Sequence, residues 1–418
     1  MQRGCANDCS KTTDRCVNFN HCNHAREYYL YRLLAHLDWF YNKERAHEKH
    51  RDHGRHRQAA TPGSGVGYST WNTYTSVWGM TPYSPYYPQT PSAQPASVQH
   101  AEHASKRRDV YLCAILKGIA MTLHNSREHT LLPLMKMSRL DHAIAELLRN
   151  DSISDCSERD ALYSAVLMTL EAIASNSHLV EFYVSPRDEI ETTDGLEKIV
   201  LGHGKLIKAK PNPKKAGDDD KIPPLLDLMD NLAKQAEAFY KTASKVALNG
   251  ADTAVVTPIN LCRRILETRQ SLRVRARTNP VQTANFVRQS GVRSASESYR
   301  RACADVAYDD YPSSLCVPYA FAREAEFVSY PNPRRTITLA KELSTMATSL
   351  PPGIFVRSDE NRPDRIKALI AGPEGTPYYG GLFEFDIFAP DNYPAIPPVV
   401  QYITTAQGQI RFNPNLYE

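Results

Sequence analysis

The residues best suited to metal chemistry lie at the start of the chain. Cys5 and Cys9 form one tight pair, whereas five residues separate Cys16 from Cys22, and His24 is an alternative to one of them. A structural zinc ion needs about four such ligands at the corners of a tetrahedron. Paired zinc ligands are usually separated by about two to four residues, so the separation of Cys5 and Cys9 fits and that of Cys16 and Cys22 is too long. A zinc site and unliganded thiols in a mobile tail therefore both remain open, and no other cofactor is expected.

A run of arginines could bind phosphate groups. It comprises Arg263, Arg264, Arg269, Arg273, Arg275, Arg277, Arg288 and Arg293. Nucleic-acid binding is not expected, because no aromatic residues interleave for base stacking and no known reader fold is recognisable. We interpret the run as a solvated helix and linker, with docking of an acidic partner as the alternative.

The composition of the whole chain limits the possible classes of protein. Its 418 residues suffice for two or three domains, and its net charge is only +4. No apolar run is long enough to span a membrane, and the N-terminus lacks the apolar stretch of a secretory signal. The nine cysteines are then most simply reduced thiols, which predicts a cytoplasmic, or alternatively nuclear, protein.

The first hundred residues offer little to a folded core. Residues 1–58 read as a Cys/His-rich tail with a short amphipathic helix whose apolar residues run from Tyr29 to Tyr41. Residues 59–105 are rich in Pro, Tyr, Ser, Thr and Gly and have almost no Leu or Ile. Such a segment cannot bury enough surface to offset chain entropy, so a disordered linker is predicted.

Residues 106–250 carry apolar stripes at helical spacing and predict a bundle or a solenoid-like stack of helices. A polar turn, Arg149-Asn150-Asp151-Ser152, separates two of these helices. A further helix is predicted to begin after Pro224. Residues 251–329 are predicted to be a basic linker that contains helices.

The C-terminal segment, residues 330–418, changes from helical to strand periodicity. Asn332 and Pro333 predict an N-cap and first residue of a helix that ends near Leu350. Four short strands should follow, at 354–357, 364–371, 382–388 and 399–404, as an antiparallel meander. The overall fold class is thus α+β: a helical middle region, then one helix and a four-stranded meander.

Several motifs in this segment occur in the order and spacing of a known family. They are Gly-Pro-Glu-Gly-Thr-Pro-Tyr at 372–378, Gly-Gly-Leu-Phe at 380–383, Tyr-Pro at 393–394, Pro-Pro at 397–398 and Asn-Pro-Asn at 413–415. Together they resemble the core of ubiquitin-conjugating (E2) enzymes. The form of residues 411–417 resembles the large, atypical E2 enzymes, above all the giant E2 that carries a BIR domain. The polar turn at 149–152 resembles the region before the E2 core in that group.

The resemblance implies an enzyme that accepts ubiquitin from an activating enzyme (E1) as a cysteine thioester and passes it to a substrate lysine. Asn415 matches the family's oxyanion-stabilising asparagine, and Asn413 stands where the family has histidine and would support the loop. Arg334, Arg335 and Lys341 are candidates for E1 docking on a basic helix face. Ala395 occupies the ligase-facing corner, where many E2 enzymes present an aromatic residue, which weakens the case for conventional ligase pairing.

The family's nucleophilic cysteine would lie about eight residues beyond Asn415, and no cysteine follows Cys316. As it stands the chain is expected to be inactive, and we expect it to be a C-terminally truncated form of a longer enzyme. Phe383, Phe385 and Ile387, or their neighbours on the opposite face, would then lack the cover of a later helix. The alternative is a non-catalytic scaffold that binds ubiquitin or a partner E2.

Overall fold

The computed structural model describes residues 23–58, 96–124, 131–187, 190–208, 222–247, 253–278, 295–315, 318–328 and 332–405. They form an α+β structure, as the sequence predicts, in which helices precede a five-stranded sheet. The zinc candidates Cys5, Cys9, Cys16 and Cys22 lie outside the described residues, and so do Asn413 and Asn415. Across the described ranges, no helix is long and apolar enough to cross a membrane.

Ten helices build the helical region within the described ranges up to residue 278. They are α1 (Asn23–Gln58), α2 (Ala96–Leu123), α3 (Leu131–Met137), α4 (Leu140–Leu148), α5 (Ile153–Glu158), α6 (Asp160–Ala174), α7 (Val180–Val184), α8 (Leu196–Val200), α9 (Leu225–Ala247) and α10 (Thr253–Arg277). A two-stranded antiparallel ribbon, β1 (Ile190–Thr193) and β2 (Leu206–Lys208), flanks α8. Leu116, Val166 and Phe239 are among the fully buried residues of one continuous apolar core.

A buried carboxylate ties α1 to this region. Asp38 accepts hydrogen bonds from the backbone N–H groups of Arg139 (2.7 Å) and Leu196 (3.1 Å), which lie at the first turns of α4 and α8. These donors have no partner inside their own helices, so a carboxylate is well suited to satisfy them. Burial nevertheless raises the pKa of Asp38 to about 6.

Three features of the helical region differ from the sequence-based expectations. Helix α1 is much longer than the short helix predicted, and α2 begins at Ala96, inside the segment predicted to be a disordered linker. Helix α10 is not part of a linker, because Leu261 and Ile265 lie in the core. Two of its arginines form ion pairs with α9. Asp230 accepts from Arg269 at 3.0 Å and from Arg273 at 2.8 Å.

The sheet has the predicted meander plus one strand that the sequence did not reveal. Its strands are β3 (Tyr308–Tyr311), β4 (Ile354–Asp359), β5 (Arg365–Ala371), β6 (Leu382–Phe388) and β7 (Val399–Tyr402), in that spatial order. Strands β4 to β7 pair antiparallel, whereas β3 joins the edge at β4 in parallel. Two helices, α11 (Ala295–Asp305) and α12 (Ala322–Phe327), flank β3 in sequence.

Part of the predicted basic linker thus belongs to the sheet domain. Phe321 and Ala325 pack with Phe388 of β6, and the Tyr319 hydroxyl donates to the Ile387 carbonyl at 2.6 Å. The boundary placed at residue 330 is therefore too late: the strand and the short helix before it complete one edge and one face of the sheet.

The last helix, α13 (Pro333–Ser349), is shared between the two parts of the molecule. Ala340 belongs to the core of the helical region, whereas Leu343 belongs to the smaller core under the sheet with Val356 and Ile366. Near its C-terminal end, the Gln235 amide of α9 donates to the Thr348 hydroxyl at 2.6 Å. The helix therefore has one face on α9 and another on the sheet.

Candidate functional site

The N-terminus of α13 folds as the sequence predicts. The Asn332 side chain accepts from the Arg335 N–H at 3.4 Å, and Pro333 occupies the first turn, where its missing N–H costs nothing. This cap fixes where the helix begins relative to the sheet. It also sets which residues of the first turn point inward.

Arg335 is one of those inward residues, and the prediction that it lies on an exposed docking face is wrong. Its side chain is fully buried, and Nη2 donates to Asp364 Oδ2 at 3.0 Å while Nη1 donates to the Ala389 carbonyl at 3.3 Å. Asp364 also accepts from Arg362 at 2.9 and 3.0 Å. Arg335 thus connects the first turn of α13 to the loops at one end of β5 and β6 through hydrogen bonds.

The remaining basic candidates, Arg334 and Lys341, are exposed on α13. They share a narrow strip with Thr338 and Thr345, at the helical spacing that places residues on one face. The strip is narrow because α9 covers one side of the helix and the sheet covers the other. E1 docking at Arg334 and Lys341 stays a prediction.

The turn between β5 and β6 depends on a glycine. A Cβ on Gly372 would lie 1.8 Å from the Tyr378 carbonyl oxygen, so no other residue fits without moving the backbone. The Gly372 N–H donates to the Gly381 carbonyl at 2.9 Å, which closes the turn. The close approach of the Gly372 and Tyr378 backbones explains the first glycine of the Gly-Pro-Glu-Gly motif.

The proline-rich corner before β7 is anchored to α13. The Tyr393 hydroxyl donates to the Glu342 carboxylate, and the peptide bond between Tyr393 and Pro394 is cis. Burial raises the pKa of Glu342, and the hydrogen bond from Tyr393 offsets part of that shift. Ala395 and Ile396 are exposed at the tip of this corner. A small residue with an apolar neighbour therefore stands at the tip of the corner, and its role in ligase contact stays a prediction.

The apolar cover of the sheet is uneven. Phe385 stacks on Tyr402 at 5.0 Å between ring centroids, so this part of the face is half-buried. Val399, Val400 and Ile403 on and after the edge strand β7 are exposed. The prediction that the sheet would leave apolar side chains uncovered thus applies to β7 more than to β6.

Two of the described cysteines, Cys156 and Cys262, are poor nucleophiles. Cys113, Cys156 and Cys262 are buried free thiols in the helical region, and Cys303 lies on α11. Burial raises the pKa of both Cys156 and Cys262 to about 12, which keeps them as thiols at neutral pH. None of these four belongs to the meander or to α13. Nor do the described residues contain a cluster of three His, Cys, Asp or Glu that could hold a metal.

Helix α13, the meander and the anchored corner have the arrangement that the sequence resemblance predicts for a ubiquitin-conjugating domain. Residues 338–418 match the family model described as ubiquitin-conjugating enzyme. This segment therefore forms part of an E2-type domain, and the chain is related to the large atypical E2 proteins.

Curated relatives extend the similarity into the helical region. The chain is 32% identical over 288 residues to the probable ubiquitin-conjugating enzyme protein 17 of Caenorhabditis elegans, covering 65% of this chain and 36% of that protein. It is 29% identical over 327 residues to the dual E2 ubiquitin-conjugating enzyme/E3 ubiquitin-protein ligase BIRC6 of Homo sapiens, covering 70% of this chain and 6% of that protein. A putative ubiquitin-conjugating enzyme E2 39 of Arabidopsis thaliana is 50% identical over 80 residues, 19% of this chain and 24% of that protein. The chain thus spans about a third or less of these relatives.

Proposed function

We propose that this chain is part of a protein that carries ubiquitin as a thioester and transfers it to a substrate lysine. The observation that carries the proposal is the match of residues 338–418 to the E2 family model, together with the helix and meander built from those residues. E2 proteins in general work with ubiquitin, an E1 enzyme and protein substrates, and these are the partners we propose here.

Within this proposal the residues of the chain have separate tasks. Asn415 donates a hydrogen bond to the tetrahedral oxyanion that forms when the lysine attacks, and Asn413 supports the loop. Arg334 and Lys341 contact the E1 enzyme. The first step of the reaction is attack by a thiolate, and the family resemblance would place the ubiquitin-bearing thiol about eight residues beyond Asn415. We also propose a cytoplasmic or nuclear location, which the buried free thiols support.

The test is a thioester assay on the full-length protein with E1, ubiquitin and ATP. We expect a ubiquitin adduct that thiol reductants cleave, and slow transfer to free lysine in Asn415→Ala while loading is unchanged. Loss of one oxyanion donor slows the transfer step by about 10²-fold. A matched control, Asn392→Ala, alters an exposed asparagine of the corner and should leave both steps unchanged.

The alternative outcome points to a scaffold. If the full-length protein binds ubiquitin but forms no reductant-sensitive adduct, it is a non-catalytic E2-like module, and the thioester proposal is overturned. A second arm uses Arg334→Glu combined with Lys341→Glu. Slower loading of ubiquitin in that variant supports E1 docking on α13. Unchanged loading overturns the proposal that Arg334 and Lys341 contact the E1 enzyme.

A further inference from the structure

A cavity of about 530 Å³ lies in the helical region, outside the E2-type domain. Helices α1, α2, α4 and α6 and the backbone around Arg187, Ile190 and Ile222 form its wall. The volume is in the range of sites that hold small ligands or a few residues of a peptide. The E2 chemistry described above makes no use of it.

The wall combines apolar and cationic side chains. Its apolar part includes Phe40, Leu112 and Leu147, whereas its charged part contains Arg108, Arg149, Arg159 and Arg187 with only Glu146 of opposite sign. Asp109 accepts two hydrogen bonds from Arg159, at 2.6 and 2.8 Å, and this bidentate ion pair compensates the charge of that arginine. Asp155 also lies 3.4 Å from Arg159, and Asp141 partly offsets the charge of Arg187. The cations of the wall without an ion-pair partner among the described residues are therefore Arg108 and Arg149.

Two buried polar atoms in the wall have no hydrogen-bond partner. Arg187 donates from Nε to the Pro223 carbonyl and from Nη1 to the Asp141 carbonyl, both at 3.0 Å, while its Nη2 is unpartnered. His142 contacts the Asp141 carboxylate through Nδ1 at 2.7 Å, and its Nε2 is also unpartnered. Of these two atoms, Arg187 Nη2 is a donor, and an unsatisfied buried donor is costly, so a ligand that accepts a hydrogen bond from it is favoured.

The arginines at the rim are available as well. Arg108 is half-buried and Arg149 is exposed, and neither side chain has a hydrogen bond or an ion pair in the part of the chain that the structure describes. Burial lowers the pKa of Arg187, Asp141 offsets part of the shift, and the charge of Arg149 adds to it. Arg187 and Arg149 repel each other despite the partial compensation from Asp141, and a bound anion would relieve that repulsion.

We propose that this cavity binds a phosphate monoester carried on an aromatic or apolar group. A phosphate has a charge of about −1.5 to −2 and three acceptor oxygens, which suit the unpaired Arg108 and Arg149 and the unpartnered Nη2 of Arg187. The phosphate contacts Arg187, Arg149 and Arg108. The attached group packs on Phe40, Leu112 and Leu147.

Phenyl phosphate is the minimal probe, and calorimetric titration of the whole chain measures its affinity without E1 or ATP. We expect saturable binding, tighter than that of inorganic phosphate, and at least about tenfold weaker binding in Arg149→Ala and in Arg108→Ala. These two side chains make no internal hydrogen bonds, so their removal should leave the fold intact, which thermal melting checks. Arg323→Ala removes an exposed arginine outside the cavity and should leave the affinity unchanged.

Two further probes identify the source of the phosphate. A phosphotyrosyl peptide that binds more tightly than phenyl phosphate indicates a phosphorylated protein, and adenosine monophosphate that binds more tightly indicates a free small molecule; either supports the proposal. Lack of saturable binding, or binding that Arg149→Ala and Arg108→Ala leave unchanged, overturns it. The outcome is independent of whether the protein conjugates ubiquitin, because no transfer is measured.

Discussion

Arg335 and Asp364 form a fully buried ion pair, 3.0 Å apart, that joins α13 to the loop before β5. The pair is not isolated, since Arg362 adds a second cation on Asp364 and Asp391 lies 4.0 Å from Arg335 on the exposed side. Two charges without water need such additional partners to be tolerated. The arrangement fixes the distance between the helix and the sheet by directional contacts as well as by apolar packing.

Replacement of Arg335 by methionine should destabilise the protein strongly. The change leaves the buried Asp364 with only one arginine, and breaking a buried pair costs about 3–5 kcal/mol of unfolding free energy. Urea denaturation measures the loss. Arg334→Met, the same substitution at the exposed neighbouring position, should change stability by less than about 0.5 kcal/mol. Equal effects of the two substitutions would contradict the structural role assigned to Arg335.

Gly372→Ala should disrupt the turn between β5 and β6. The new methyl group would lie 1.8 Å from the Tyr378 carbonyl oxygen, which no side-chain movement can relieve because both groups belong to the backbone frame. We expect a loss of at least about 2 kcal/mol of unfolding free energy. In Gly375→Ala the added methyl meets nothing within 4 Å, but φ is +78°, so only the smaller strain of a left-handed residue, about 1 kcal/mol, is expected. A larger loss at Gly375 than at Gly372 would refute the steric argument.

The stability of the helical region should fall as the pH rises from about 4 to 6. The folded-state pKa of Asp38 is raised from 3.8 to about 6, so the folded protein binds a proton that the unfolded chain has already released. The stabilising contribution is complete at a pH below the pKa of Asp38 in the unfolded chain. It is lost as the pH rises through the pKa of Asp38 in the folded protein. It amounts to about 3 kcal/mol.

Asp38→Asn should flatten this part of the pH profile, since the amide cannot ionise. Denaturation at a series of pH values gives the slope. Asp151→Asn, which neutralises an exposed carboxylate, serves as the control and should keep the wild-type slope. If Asp38→Asn and the wild type have parallel profiles between pH 4 and 6, the carboxyl group does not titrate as described.

Ala340→Leu should test the contact between α13 and the helical region. Ala340 is fully buried in that core, and extra methylene groups in a packed core cost about 1–3 kcal/mol. Lys341→Leu introduces the same side chain at the neighbouring exposed position and should be nearly neutral. Thermal melting compares the two. Similar melting temperatures would mean that α9 does not pack on α13 as found.

Local patterns predicted the meander well, because the alternation in β5 and β6 and the turn glycines are properties of neighbouring residues. The cap at Asn332 and the strand limits at Leu382 and Phe388 are confirmed for the same reason. Strand β3 escaped prediction because Tyr308-Asp309-Asp310-Tyr311 shows no apolar alternation and becomes a strand only by pairing with β4, some fifty positions later.

The burial of Arg335 could not be predicted from local sequence patterns. An arginine in the first turn of a helix is expected in solvent, and only Asp364, distant in sequence, makes its burial tolerable. The cavity lined by Arg187 and Arg149 was missed as well, since its wall comes from segments separated by many residues. The polar turn that contains Arg149 was interpreted only as a boundary between two helices and as part of the family resemblance. Asn413 and Asn415 remain predictions.

The placement of Ala340 and Leu343 on one helix has a consequence for how the protein loses its structure. A helix that contributes to two cores cannot stay folded when either of them opens, so the E2-type domain and the helical region should melt in a single cooperative transition. A fragment cut before Pro333 would then expose the apolar side of α13 that α9 now covers. The relatives from Caenorhabditis elegans and Homo sapiens align over 288 and 327 residues, so the similarity includes residues well before the point where such a cut would fall, and is longer than the E2-type match alone.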